Sequence, residues 1–172
     1  MPIYALGDAV PDIDPSAYVH PDAVVIGHVT IGPEASIWPC AVLRGDDGVI
    51  TIGARTSIQD GSVVHCTPFL PTVVGANCVV GHIVHLEGCT IEDGALVGNG
   101  SIVLHRAVVG TGAIVGANAV VPGGMEIPAH TMALGVPAKL REGKVDPEMI
   151  AVACESYVAR AKRFRQDLRR VD

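Results

Sequence analysis

The sequence predicts an all-β solenoid, a parallel β-helix of hexapeptide repeats followed by a C-terminal α-helix, and three observations carry that reading. Aliphatic residues recur at every sixth position through most of the 172 residues. The residue after the aliphatic one is often Gly, and the fourth after it is usually small. No helical pattern precedes residue 146, so the spacers that parallel strands of an ordinary α/β protein require are missing.

In chain order, Val19, Val25, Ile31, Ile37 and Leu43 form the first run, Ile52, Ile58 and Val64 the second, and Val74, Val80 and Leu86 the third. After a one-residue slip, Ile91, Val97, Val103, Val109, Val115, Val121 and Ile127 form the fourth. Each short strand cannot bury its side chain alone and must stack on neighbouring coils, and the β-branched bias favours strand over helix. Two interruptions stand out. Leu43 to Ile52 spans nine residues, inserting Arg44-Gly45-Asp46-Asp47-Gly48, and Val64 to Val74 spans ten, with Cys66-Thr67-Pro68-Phe69-Leu70-Pro71 just after His65. Their Pro and Gly are turn formers, so both read as loops leaving the coil on a functional face. Asp146 and Pro147 then supply an N-cap and a first helical residue. From there Ile150, Cys154, Tyr157, Ala161, Phe164 and Leu168 make one apolar stripe. The expected division is a β-helix over 1–140 and a helix over 146–170 that packs on the outside of its own or a neighbour's solenoid, with Pro137 and Gly143 marking the connection.

Charge is divided unevenly. Residues 1–138 carry 12 acidic and 3 basic side chains and residues 139–172 carry 6 and 9, so the body stands at −9 and the tail at +3. Six acids interrupt the tail and few aromatics accompany it, which argues against nucleic acid and for charge complementarity with the body. The five cysteines are odd in number and lack a CxxC pair, which argues against a disulfide framework or a thiolate zinc knuckle and fits a reducing compartment. The N-terminus has no basic stretch followed by an apolar one, and no apolar run approaches ~20 residues, so a cytoplasmic protein without a membrane partner is expected.

Three hexapeptides per coil stack Leu43, Val64, Leu86 and Val103 on one face. Side chains alternate along a strand, so Arg44, His65, Glu87 and Leu104 form an outward column beside them. The preceding face stacks Ile58, Val80 and Val97, which makes Asp60, His82 and Asn99 a second column. One rigid prism cannot easily bring His65 and His82 together, whereas a neighbouring subunit in a cyclic oligomer can.

Arg44-Gly45-Asp46, Ile58-Gln59-Asp60-Gly61-Ser62-Val63-Val64-His65, and Gly81-His82 with Gly88-Cys89-Thr90 downstream resemble the γ-class carbonic anhydrase family over about residues 10–140. The resemblance implies a left-handed β-helix, a homotrimer and one zinc ion per subunit interface. It implies metal ligands at His65, His82 and position 87, where the family has His and this chain has Glu87. It also implies that Arg44, Asp46, Gln59 and Asp60 brace the interface or line the pocket, with Gln59 orienting the nucleophile and Asp46 or Asp47 moving protons; a further polar family position falls on Ser57. The implied reaction is reversible hydration of carbon dioxide to bicarbonate by metal-activated water.

Zinc accepts two His and one Glu with an open fourth position, and iron or cobalt suit the same donors. An anionic third ligand raises the pKa of the bound water above the ~7 reached with neutral imidazoles, which slows hydration at neutral pH. Loss of the metal, with Glu87 pairing to Arg44 or the two His, and replacement by His85 stay open beside retention. His85 stacks beside Val63 and reads as an outer or surface histidine, while His20, His28, His105 and His130 read as exposed corner residues. Two other functions remain in view: acyl transfer from acetyl-coenzyme A, which Gly135-Val136-Pro137-Ala138-Lys139 resembles, and a non-catalytic metal-binding trimer.

Overall fold

A computed structural model describes residues 2–141 and 145–172; Gly143, expected at the connection, lies outside them. The chain winds as a left-handed parallel β-solenoid with three faces and one C-terminal helix. Val25, Leu43, Val64, Leu86, Val103 and Val121 stack along the first face. Ile13, Ile31, Ile52, Val74, Ile91, Val109 and Ile127 stack along the second. Val19, Ile37, Ile58, Val80, Val97, Val115 and Ala133 stack along the third. Each of the eighteen positions in the six-residue pattern is at most 7% exposed, so the period is the core of the molecule.

Small residues close the corners, for two separate reasons. Glycines after the aliphatic positions let successive coils approach: a Cβ on Gly53 would lie 2.4 Å from the carbonyl carbon of Gly75 in the next coil. Two or three residues farther on, the corner itself needs a left-handed backbone, which at one corner falls to Cys40, Gly61, Ile83, Gly100 and Asn118. Ile83 is the anomaly in that column, a β-branched side chain at φ +57° with 73% of its surface exposed.

The first interruption is not a loop. Val42–Ile52 is one continuous strand that rounds a corner, paired with Val24–Ile31 by way of Gly27↔Gly45 and then, after a register shift, Val29↔Ile50. The extra residues are absorbed as a bulge, because the partner strand turns the same corner and keeps hydrogen bonding on both sides of it. The second interruption does leave the coil, as a tight hairpin bridged between Thr67 and Leu70 with Phe69 89% exposed at its tip. At the far end Met132–Leu134 pairs antiparallel with Lys139–Arg141, so the chain doubles back to cover its last edge.

Helix α1, Pro147–Asp167, starts where Asp146 accepts the Glu148 N–H at 3.0 Å. It crosses the third face of its own chain, burying Ile150, Cys154, Val158 and Ala161. Trp38, Tyr18, Tyr157 and Phe164 form an edge-on aromatic joint, with Trp38 5.1 Å from Phe164 and 5.7 Å from Tyr157 by ring centroid. Acid–base contacts lock the joint: Arg55 with Glu155, Lys162 with Glu34 at 2.6 Å, and Arg165 donating to the carbonyls of Pro15, Ser16 and Ala17. The stripe read from the sequence differs in two places, since Val158 in its middle also packs and Leu168, past the helix, is 47% exposed. No described helix is long and apolar enough to cross a membrane.

Candidate metal centre

Strand pairing sets Arg44 beside His65 and His65 beside Glu87 on the outside of the first face. The His65 ring lies between two carboxylates, with Nε2 3.0 Å from Asp46 Oδ1 and Nδ1 2.9 Å from Glu87 Oε1. Asp46 is itself held by Arg44 through Oδ2 and accepts the Asp47 N–H on Oδ1 at 3.2 Å. Glu87 has further imidazoles around it: His85 Nε2 lies 3.2 Å from Oε2, and His105 Nε2 3.7 Å from Oε1. Burial alone would raise the Glu87 carboxyl, but the neighbouring His65, His85 and His105 rings outweigh it and hold the group below the usual glutamate range. Asp46 is lowered in the same way, its burial outweighed by hydrogen bonds from His65 and Arg44.

A neutral imidazole carries one N–H, so only one of the two His65 contacts can be a hydrogen bond. The other sets a bare nitrogen against a carboxylate oxygen. Both are satisfied together only by an imidazolium or by a cation drawn between nitrogen and oxygen. Asp46 is already oriented by Arg44 and the backbone, so the tautomer with the proton on Nε2 of His65 would complete that chain and leave Nδ1 free to face Glu87 Oε1. Two donors of metal-ligating type then face one point, so the residues fit a divalent ion.

His82 is on the other column. Asp60 Oδ2 accepts from its Nδ1 at 2.9 Å, which leaves Nε2 with a free lone pair, and Asn99 Oδ1 accepts its backbone N–H at 3.0 Å. A carboxylate behind a histidine is the usual support for a metal-binding imidazole. His82, Ile83, His85, Asn99 and Ile102 line an open depression of about 770 Å³ at this corner. Among the described residues no three His, Cys, Asp or Glu side chains of one chain gather closely enough to hold a metal ion. The geometry therefore yields two half-sites, His65 with Glu87 and His82 with Asp60.

Gln59 precedes Asp60 on the His82 side and is only 3% exposed. Ser57 accepts the Trp38 indole N–H at 2.9 Å and serves the aromatic joint. Two histidines depart from their expected setting. His20 is buried, with Nδ1 accepting the Asp22 N–H at 3.1 Å, and His105 stands beside Glu87, whereas His28 and His130 are exposed. His105 was hard to see because a Gly at position 88, one residue past Glu87, is what admits its ring: a Cβ there would meet His105 Cδ2 at 2.9 Å.

The model of the bacterial transferase hexapeptide family, six repeats, matches residues 11–45 and 88–123. The chain is 49% identical over 130 residues to a protein of Methanocaldococcus jannaschii named "Probable carbonic anhydrase", covering 76% of this chain and 82% of that one. It is 38% identical over 149 residues to the carnitine operon protein CaiE of Shigella dysenteriae, covering 87% and 76% respectively. Against the mitochondrial γ carbonic anhydrase 2 of Arabidopsis thaliana it is 40% identical over 152 residues, 85% of this chain, and spans 55% of the length of that relative. A crystal structure of a hexapeptide transferase family protein from Anaplasma phagocytophilum superposes with a TM-score of 0.91 at 33% identity, covering 95% of this chain and 98% of the other.

Proposed function

The chain belongs to the γ-carbonic-anhydrase-like family of hexapeptide-repeat proteins, and from that premise we propose a homotrimeric metalloprotein that hydrates carbon dioxide reversibly at sites shared between subunits. The observation that carries the reading is the pair of half-sites, His65 facing Glu87 and His82 facing Asp60, each short of a full ligand set within one chain. His65 and Glu87 of one subunit and His82 of the next would hold the ion. A bound zinc, iron or cobalt ion supplies an activated water as the nucleophile.

The protein's own residues do the rest. Arg44 holds Asp46, which fixes the His65 ring; Asp60 fixes the His82 ring; Gln59, beside Asp60, orients the nucleophile; and Asp46 or Asp47 takes the proton toward solvent. Assembly is supported by the outward row on the first face, where Val24, Val42, Val63, Ile102 and Val120 are interrupted only by His85. That is an apolar flank beside a half-site, fitted to cover by a second copy. The compartment proposed is the cytoplasm, on the strength of five free cysteines.

The test is stopped-flow hydration of carbon dioxide before and after metal stripping and zinc restoration. Zinc-dependent bicarbonate formation above the buffer rate is expected, and a rate at the buffer level with zinc bound would contradict it. Acyl transfer is the second reading, favoured by the hexapeptide transferase likeness; turnover of acetyl-coenzyme A without metal would select it.

A further inference from the structure

We propose that His85 is a positioning residue for the metal centre, clamping one oxygen of Glu87 so that the other is presented to the ion. The inference rests on the proposed ligand set of His65, Glu87 and the neighbouring subunit's His82. A glutamate has one more rotatable bond than a histidine and two equivalent oxygens, so replacing an imidazole ligand by Glu loosens the site unless something fixes the carboxylate. His85 does so. It sits two residues before Glu87 on the same strand, its Nε2–H donates to Oε2 at 3.2 Å, and Oε1 is left 2.9 Å from His65 Nδ1. His105, from the next coil, closes the other side, its Nε2 3.7 Å from Oε1 and its ring seated against Gly88. Leu70 of the hairpin packs on the same glycine and walls the cluster.

This arrangement explains why the one histidine in the apolar outward row falls at 85, where its register partners are Val63 and Ile102. A surface histidine would gain nothing from that place. The clamp works through the carboxylate alone, so it should matter only while Glu87 is there.

The experiment is zinc affinity by chelator competition on the full-length protein, with the visible spectrum of the cobalt form as a second readout. Glu87→Ala should lose affinity strongly. His85→Ala should weaken zinc binding by about 10- to 100-fold and change the cobalt spectrum. His85→Gln, which keeps an N–H donor at similar reach, should restore binding to within about threefold of the natural chain, and His130→Ala on an exposed corner should change nothing. In a Glu87→His background, His85→Ala should shift affinity less than about twofold, because the carboxylate it steers is gone. If Glu87→Ala loses zinc but His85→Ala does not, the clamp is overturned and the ligand set stands. If the His85→Ala loss persists with His at 87, His85 acts by another route and the clamp is equally overturned. If Glu87→Ala binds zinc normally, the ligand set itself is wrong and the clamp goes with it.

Discussion

Gly53 and Ile83 show how differently two neighbouring backbone requirements are written. A side chain at 53 would be driven into the backbone of the next coil, so Gly53→Ala is expected to cost about 3 kcal/mol in urea denaturation. Ile83 occupies a corner where Gly stands in the coils on either side, at 61 and 100. Ile83→Gly should relieve about 1 kcal/mol of backbone strain in the unassembled chain, yet weaken association at the His82 corner; denaturation and sedimentation equilibrium separate the two. The sequence displays glycines after the aliphatic positions, but not which corner residues turn left-handed, because Cys40, Ile83 and Asn118 fill that role as well as Gly. Burial also sets the thiols apart: Cys78 is pushed up to about 11 and Cys89 to about 12, from 9.0. Their folded values lie above the unfolded one, so the associated stability is intact below about pH 9 and is lost as pH rises toward those values, by up to about 1.4 kcal/mol per unit per thiol. Denaturant midpoints should be flat between pH 7 and 8.5 on this account and fall between 9 and 10.5.

At the scale of elements, the helix joint gathers Trp38, Tyr18, Tyr157 and Phe164 over one face. Trp38 is the single tryptophan and is 3% exposed, so its emission should be blue-shifted and poorly quenched by acrylamide until the helix detaches. Trp38→Ala should cost about 3–5 kcal/mol and release the helix from the third face, visible as a loss of helical protection in hydrogen exchange. The start of this helix was legible because Asp146 and Pro147 are local signals, while its packed face depends on what lies beneath, which brings in Val158 and leaves Leu168 out. The Arg44–Gly48 insertion misled for a related reason. Gly and Asp read as a turn, but Gly27 in the preceding coil gives them a partner at the same corner, and strand pairing continues across it.

For the whole molecule, counting by sixes places His65 beside Glu87 and His82 beside Asp60, and the strand register gives the same neighbours. What counting cannot supply is the convergence of His85 and His105 on Glu87, since that depends on side-chain reach and on the missing Cβ of Gly88. The proposed shared site also makes assembly and metal binding separable. His82→Ala should sediment as three chains of 17.8 kDa each and hold no zinc, whereas truncating the outward valines should dissociate the trimer and release the metal with it.

The most direct measurement is complementation between two inactive chains. His65→Ala and His82→Ala proteins are prepared separately and as co-expressed mixed trimers purified by two tags, and zinc is counted by elemental analysis. Neither variant alone should retain zinc, and each mixed trimer should recover about one ion, because one of its three interfaces then joins an intact His65 face to an intact His82 corner. Mixed trimers without zinc, or a variant that binds zinc alone, would contradict a centre built across subunits.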